Sequence, residues 1–315
     1  MRKLSKESVE SVPRSTPKLR SALLEWYRRS GRSWLPWRAT RDPYCIVVSE
    51  FMLQQTQVER VAASYERFLA LFPTFAALAQ SARSDVVRAW KGLGYNVRAV
   101  RLHELAQSVV ERHAGALPED EEALRALPGI GPYTAAAIRA FAFEHDDVAL
   151  DVNIRRVVHR LRFGIEHPPA ATSTEIDAAA RELLPSGDAH RWNSAMMDLG
   201  ATLCTARAPK CAGCPLRAWC AAAPCGEARI AEAAHMRRRE RRRGPQSRLR
   251  FEETRRFVRG RVLDRLRELR AGTVLPAAEL VALSSGTVRY SIEEILRGLE
   301  RDGLIVREAS GIRLR

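Results

Sequence analysis

The sequence predicts an all-α body followed by a small winged-helix-like module, and three observations carry that prediction. Apolar residues recur at three- and four-residue spacing from Leu19 to about Cys220, and no segment there alternates as a strand does. Four cysteines, Cys204, Cys211, Cys214 and Cys220, crowd the end of that stretch. An arginine-dense run over residues 231–250 then separates the helical part from a short final segment of different pattern.

Within the body, the spacing predicts helices over residues 19–29, 49–72, 84–89, 98–112, 121–126, 133–143, 154–163 and 174–184. The breaks between them carry turn chemistry at Pro36, Pro43, Pro73, Gly92 with Gly94, Pro118 and 128–132. The run containing Arg237, Arg238, Arg239, Arg241, Arg242, Arg243, Arg248 and Arg250 is too charged to bury and reads as a linker. After it, helical patterns near 257–270, 277–283 and 291–302 lead into two short apolar runs around Gly311, which is the order of a winged helix-turn-helix. The resulting division is an N-terminal tail (1–18), a helical domain (19–225), a linker (226–254) and the winged-helix-like domain (255–315).

The bulk numbers limit the partners. A chain of 315 residues with 46% hydrophobic content can bury a substantial core. Its first 18 residues lack a signal-peptide run and no stretch is apolar enough to span a bilayer, so a soluble, cytoplasmic protein without a membrane partner is expected, acting as a monomer. A formal net charge of +15 draws in a polyanion, most simply nucleic acid, which would place the protein on the nucleoid. Of the 52 basic residues only Lys3, Lys6, Lys18, Lys91 and Lys210 are lysines, so chemistry that needs an amine has few candidates.

The cysteine gaps of six, two and five residues place one C-x2-C knuckle between two isolated cysteines. Zinc sites usually pair two such knuckles, so this spacing favours a loop wrapped around a [4Fe–4S] cluster over zinc. Disulfides would need an oxidising compartment, for which the chain carries no signal. Cys45 and Cys225 fall outside the spacing and read as ordinary thiols.

Two carboxylates and one turn are candidates for chemistry. Leu127-Pro128-Gly129-Ile130-Gly131-Pro132-Tyr133-Thr134 joins two helical patterns, and a phosphate could rest on its backbone N–H groups at the head of the second helix. Taken alone it reads somewhat sooner as an ordinary turn with glycines at a cap. Asp151 follows an apolar run and is placed to cap the helix that begins at Ile154. Glu50 follows the apolar run 45–48 and reads as an acid at a helix start, in surroundings apolar enough to raise its pKa. Paired acids in unlike environments suit glycosidic bond cleavage: one protonates the leaving group, and the other faces the sugar cation.

These residues together resemble the MutY adenine DNA glycosylases, within the helix-hairpin-helix superfamily that includes endonuclease III. The resemblance covers roughly residues 24–223. It runs in order through Leu35-Pro36-Trp37-Arg38, Asp42-Pro43-Tyr44, Ser49-Glu50, 52–58, Trp90 with Gly92-Leu93-Gly94-Tyr95, the hairpin, Asp151 with Asn153, 197–201 and the four cysteines. It implies a two-lobed helix-hairpin-helix glycosylase fold that binds double-stranded DNA at a mismatched or damaged pair and turns the target base out of the stack. Glu50 would protonate the departing adenine, Asp151 would stabilise or covalently trap the sugar cation, and Asn153 would organise Asp151. Gln55 and Tyr95 would wedge into the duplex, with Thr56 and Leu93 near the opposite base. Trp37 and Arg38 would line the adenine pocket, and Gly129 and Gly131 would hold the backbone phosphate. The cluster at Cys204, Cys211, Cys214 and Cys220 would be structural, tying a loop whose Arg207 and Lys210 face DNA.

Superfamily members that also cut the strand carry a lysine two residues after the second hairpin glycine, where this chain has Tyr133 at the reacting centre. The implied enzyme is therefore monofunctional. Four departures bear on which base is removed. Ser194 stands where the family usually has Gln or Glu, Val152 replaces a glycine, Asn96 replaces a second tyrosine, and the usual Nudix-like domain gives way to the winged-helix-like module. Of that module's roles, added phosphate contacts from Arg259, Arg261, Arg265, Arg289 and Arg297 are preferred to sequence-specific docking. Excision of adenine opposite 8-oxoguanine or guanine leads. Removal of thymine or uracil from G mismatches is its rival, and a non-enzymatic iron–sulfur DNA-binding regulator is the third reading.

Overall fold

The computed structural model describes residues 16–167, 169–242, 250–251, 254–284 and 291–315. The tail up to Ser15 and the expectations for Arg243, Arg248 and Arg289 lie outside these residues, as do the side chains of Arg237, Arg238, Arg241 and Arg242. In chain order the elements are α1 (Thr16–Ser30), α2 (Pro43–Leu53), α3 (Val58–Leu71), α4 (Phe75–Gln80), α5 (Arg83–Ala89), α6 (Val97–His113), α7 (Glu121–Arg125), α8 (Pro132–Ala142), α9 (Val152–Phe163), α10 (Ser173–Leu183), α11 (Ala189–Thr202), α12 (Gly226–Arg242), α13 (Arg255–Glu268), β1 (Leu275–Pro276), α14 (Ala277–Ser284), α15 (Ile292–Arg301), β2 (Ile305–Glu308) and β3 (Gly311–Leu314). No helix among the described residues is long and apolar enough to cross a membrane. The fold is helical with a small C-terminal sheet, as the spacing predicts.

The chain forms two compact units, Met1–Ala39 with Ala136–Gln246, and Thr40–Ala135 with Ser247–Arg315. In the first, Leu19 and Leu23 of α1 pack with Val157, Val158 and Leu161 of α9, Leu183 of α10, and Trp192 and Met196 of α11. Arg20 ties α1 to the end of α10 by donating to the carbonyls of Glu182, Leu183 and Leu184, which otherwise lack helical partners.

In the second unit α2 is buried almost all round, from Tyr44 and Ile46 to Met52, and so serves as a central helix. Asp42 starts it by accepting from the N–H groups of Tyr44 and Cys45, with Pro43 at the first helical position. Phe68 of α3 meets Trp90 edge-on at 5.8 Å, and Tyr44 meets Phe75 at 4.9 Å. The C-terminal segment belongs to this unit: α13, α14 and α15 are followed by the hairpin β2–β3, and β1 pairs with β3 to give the antiparallel order β1-β3-β2.

Four expectations change. The single pattern over 49–72 is two helices, because the chain leaves α2 at Gln54 and Gln55 adopts φ 56° before α3 begins. Glu50 therefore lies in the last turn of α2 rather than at a helix start; Asp42-Pro43 supplied the start signal. The run read as a linker is helical to Arg242, since Ala, Glu and Arg favour helix and Ile230 and Ala233 are buried. Helix α11 has no counterpart among the predicted helices: Trp192, Ala195, Met196 and Leu199 do recur at helical spacing, but the buried polar residues His190, Asn193, Ser194 and Asp198 stand among them and mask the pattern.

Candidate functional site

The sequence-predicted residues divide between the two units. Glu50, Gln55, Thr56, Leu93, Tyr95, Gly129, Gly131 and Tyr133 lie in the second, and Trp37, Arg38, Asp151, Asn153 and the four cysteines lie in the first.

In the second unit Glu50 is 6% exposed, flanked in α2 by buried Val47, Phe51 and Met52. The segment after it is held by Arg98, which spacing did not single out. Its Nη1 donates to the carbonyls of Phe51, Met52 and Gln54 at 2.6–2.8 Å, and its Nη2 to the Thr56 hydroxyl and the carbonyls of Leu93 and Gly94 at 2.9–3.0 Å. One buried guanidinium thus joins the two stretches that carry Gln55, Thr56, Leu93 and Tyr95. Burial lowers its pKa to about 10, which leaves it charged at neutral pH. Tyr95 is 38% exposed, whereas Leu93 is buried.

At the hairpin, Gly129 has φ 80°, and a β-carbon there would lie 2.9 Å from the Phe51 ring. Glycine is needed on both counts. Gly131, just before α8, is exposed with nothing within 4 Å of an added β-carbon. Tyr133 follows, half-buried in the first turn of α8.

In the first unit Asp151 caps α9, its Oδ1 accepting from the N–H groups of Asn153 at 2.9 Å and Ile154 at 2.7 Å. Its other oxygen accepts from Asn153 Nδ2 at 2.8 Å. Burial raises its pKa above the ordinary carboxylate value, while these hydrogen bonds and the nearby Arg156 charge pull the other way. Arg156 donates Nη2 to Asn153 Oδ1 and to the Gly200 carbonyl, and Nε to the Cys204 carbonyl at 2.7 Å. Gly200 lets α11 come this close, since a β-carbon there would sit 2.7 Å from that of Asn153. A continuous hydrogen-bonded path therefore runs from Asp151 to the first cysteine.

Trp37 and Arg38 occupy a tight turn, Pro36–Arg38. The Arg38 guanidinium lies over the Phe141 ring at 5.5 Å and donates to the Ser194 hydroxyl, and its buried Nε has no partner among the described residues. Ser194 is fully buried, so its hydroxyl is engaged with Arg38. Val152, beside Asp151, is 76% exposed.

The four cysteines are half-buried and form no disulfide. Burial pushes Cys214 up to about 12 and Cys220 up to about 11, and the other three cysteines each raise Cys214 further, so the four thiols are electrostatic neighbours. Thiols so placed suit a cationic group that takes them as thiolates. Among the described residues no group of three His, Cys, Asp or Glu side chains is placed to hold a single metal ion. Arg160 donates to Cys204 Sγ at 3.5 Å and to the Thr205 carbonyl, and the N–H groups of Ala221 and Ala222 donate to Leu161 and Arg160 at the end of α9. Arg207 and Lys210 are exposed on this loop.

The profile of the HhH-GPD superfamily base excision DNA repair proteins matches residues 48–186, and that of the iron–sulfur binding domain of endonuclease III matches residues 204–220. The adenine DNA glycosylase of Mycolicibacterium smegmatis is 39% identical over 293 residues, covering 92% of this chain and 93% of the relative. That of Mycobacterium tuberculosis strain H37Rv is 40% identical, covering 92% and 90%. The chain belongs to the adenine DNA glycosylase family of the HhH-GPD superfamily. A span of 92% is too long to leave out the C-terminal module, so these glycosylases share at least part of it. A solved thermostable thymine-DNA glycosylase matches with a TM-score of 0.62 at 30% identity, covering 66% of this chain and 96% of that one. The matched iron–sulfur domain spans Cys204, Cys211, Cys214 and Cys220, and these four thiols fit a [4Fe–4S] cluster, which they would hold.

Arg98, Arg156 and Arg160 organise the site, yet in sequence each is one of 52 basic residues. Their only early signal is position: each lies on a helix that begins beside a candidate residue.

Proposed function

We propose that this glycosylase hydrolyses the N-glycosidic bond of adenine mispaired with 8-oxoguanine or guanine in duplex DNA, leaving an abasic site. The observation that carries the reading is the match to adenine DNA glycosylases over 92% of the chain. The hydrogen-bonded cradle around Asp151 supports it from the chemistry.

Glu50 supplies the proton to the departing adenine. Bond cleavage then leaves an oxocarbenium-like sugar, and ionised Asp151 steadies or covalently traps it before water completes hydrolysis. Asn153 holds the carboxylate in orientation. The adenine lies by Trp37 and Arg38, whose partnerless Nε faces no protein acceptor among the described residues. Gln55 and Tyr95 fill the gap in the duplex, Thr56 and Leu93 lie by the opposite base, and the backbone at Gly129 and Gly131 holds a phosphate. Tyr133 offers no amine, and no lysine lies between Lys91 and Lys210, so a Schiff base does not form and the strand is left intact. The cluster supplies structure, holding the loop that secures the end of α9. The protein acts as a monomer in the cytoplasm, on the nucleoid.

A second reading, removal of thymine or uracil from G mismatches, draws on the likeness to the thymine-DNA glycosylase and on the engaged Ser194 hydroxyl. Single-turnover assays on duplexes carrying A, T, U or C opposite G or 8-oxoguanine separate the two, with Asp151→Asn as control. Adenine release lost in Asp151→Asn supports the proposal. Thymine or uracil release in its place supports the second reading, and equal activity of wild type and variant removes the catalytic assignment.

A further inference from the structure

Tyr95 stands in the left-handed region at φ 44°, a conformation that is unfavourable for a residue with a β-carbon. Its backbone is drawn inward: Leu93 and Gly94 accept from Arg98 Nη2, Gly94 also accepts from Trp90 Nε1 at 3.2 Å, and Tyr95 accepts from the Arg98 N–H at 3.0 Å. The phenol ring is turned outward as a result. It is met there by Arg256, in the first turn of α13, whose guanidinium carbon lies 4.1 Å from the ring centroid and whose Nη1 donates to the Tyr95 hydroxyl at 2.9 Å.

The rest of α13 secures this contact. Arg267 lies about three turns further along and on the same face, given 3.6 residues per turn. It donates Nη2 to Asn96 Oδ1 at 2.7 Å and Nε to the Val87 carbonyl at 3.0 Å, while Arg88 donates to the Arg267 carbonyl at 2.8 Å. The helix thus grips two neighbouring residues of one turn. The Arg267 end is largely buried and anchors the module. Arg256 is exposed and touches a ring that is itself 38% exposed. An exposed cation–π contact is weak, too little to anchor a domain and enough to bias the orientation of one side chain.

We propose that Arg256 is a positioning residue for specificity: it fixes the Tyr95 ring, and through it the C-terminal module helps discriminate the base opposite the excised adenine. The inference rests on the reading of Tyr95 as a duplex wedge. Asn96, the next residue, fits the same account, because its side chain receives Arg267.

The test compares wild type, Arg256→Met, Tyr95→Ala and the double variant, all as full-length protein with the cluster bound. Single-turnover adenine release is measured opposite 8-oxoguanine and opposite guanine, alongside the melting temperature. Arg256→Met is expected to lower the ratio of the two rates about two- to fivefold, to leave the melting temperature unchanged, and to have no further effect on the ratio in the Tyr95→Ala background. An unchanged ratio overturns the proposal. So does a uniform loss on both duplexes with the slope of log affinity against log salt shallower by about 1, which marks a phosphate contact alone. Wild type that releases adenine from neither duplex overturns the functional reading itself, whereas normal release with an insensitive ratio overturns only the role of Arg256.

Discussion

Asn153 donates its Nδ2 to Asp151 Oδ2 at 2.8 Å, and its own Oδ1 accepts from Arg156 Nη2 at 2.8 Å. The amide is therefore fixed in one orientation by an acceptor on one side and a donor on the other. Because Arg156 also donates to the Cys204 carbonyl, the carboxylate proposed for sugar stabilisation is tied to the backbone of the cluster loop through the Asn153 and Arg156 side chains.

Replacing Arg156 with Met should release the Asn153 amide and leave the Gly200 and Cys204 carbonyls unsatisfied. The expected result is a single-turnover rate at least about tenfold lower, with a stability loss of about 2–4 kcal/mol. Denaturant unfolding and rate measurements on the same preparation check both. A rate loss with Asn153→Ala but none with Arg156→Met would mean that Asn153 acts without this support.

The pH dependence follows from burial of Asp151, which raises its folded pKa above the unfolded value. The native carboxyl holds its proton more tightly than the unfolded chain does. Ionising it therefore costs stability: the cost is absent below the unfolded pKa, grows between the two values and is complete above the folded one. Activity needs the ionised form, so the rate should fall with acid through the folded pKa, above the range of an ordinary aspartate. A rate–pH profile for single turnover measures this. An acid limb at or below the ordinary range contradicts it.

Arg98→Lys should fail to rescue Arg98→Ala. One ammonium has three donors and cannot serve the carbonyls of Phe51, Met52, Gln54, Leu93 and Gly94 with the Thr56 hydroxyl. Each variant should lose roughly 3 kcal/mol or more, the usual cost of breaking a buried network. Thermal melts that place Arg98→Lys near wild type would show that charge alone suffices.

The two hairpin glycines should separate folding from phosphate binding. Gly129→Ala meets the Phe51 ring at a positive φ and should lower the melting temperature. Gly131→Ala has open space and should fold normally, so a loss of duplex affinity there would come from the approach of the phosphate. Equal affinity for Gly131→Ala and wild type would move the phosphate elsewhere.

Cys214→Ser should abolish the visible absorbance of the cluster and lower iron from about four per chain. The N–H groups of Ala221 and Ala222 cap the end of α9 from this loop, so the melting temperature should fall as well. Iron retained at the wild-type level would remove Cys214 from the ligand set.

Much of this protein is legible along the chain. Most of the helix spacing and the Asp151 cap are local signals, set by residues within one or two turns of each other, and they appear in the structure where the sequence places them, the split of 49–72 excepted. The sequence marks Glu50 as a residue but points to the wrong end of its helix, because the apolar run before it is itself helical. Helix α11 is hard to read along the chain because buried polar residues, His190, Asn193, Ser194 and Asp198, stand among its apolar positions, and only the fold shows that they are inside. What only tertiary structure decided is the work of the arginines: Arg98, Arg156, Arg160 and Arg256 look alike among 52 basic residues. Their roles come from carbonyls, a thiol and a ring brought to them by distant segments. A guanidinium has five donors and no local preference for where they go, so its function is written in the partners that folding supplies.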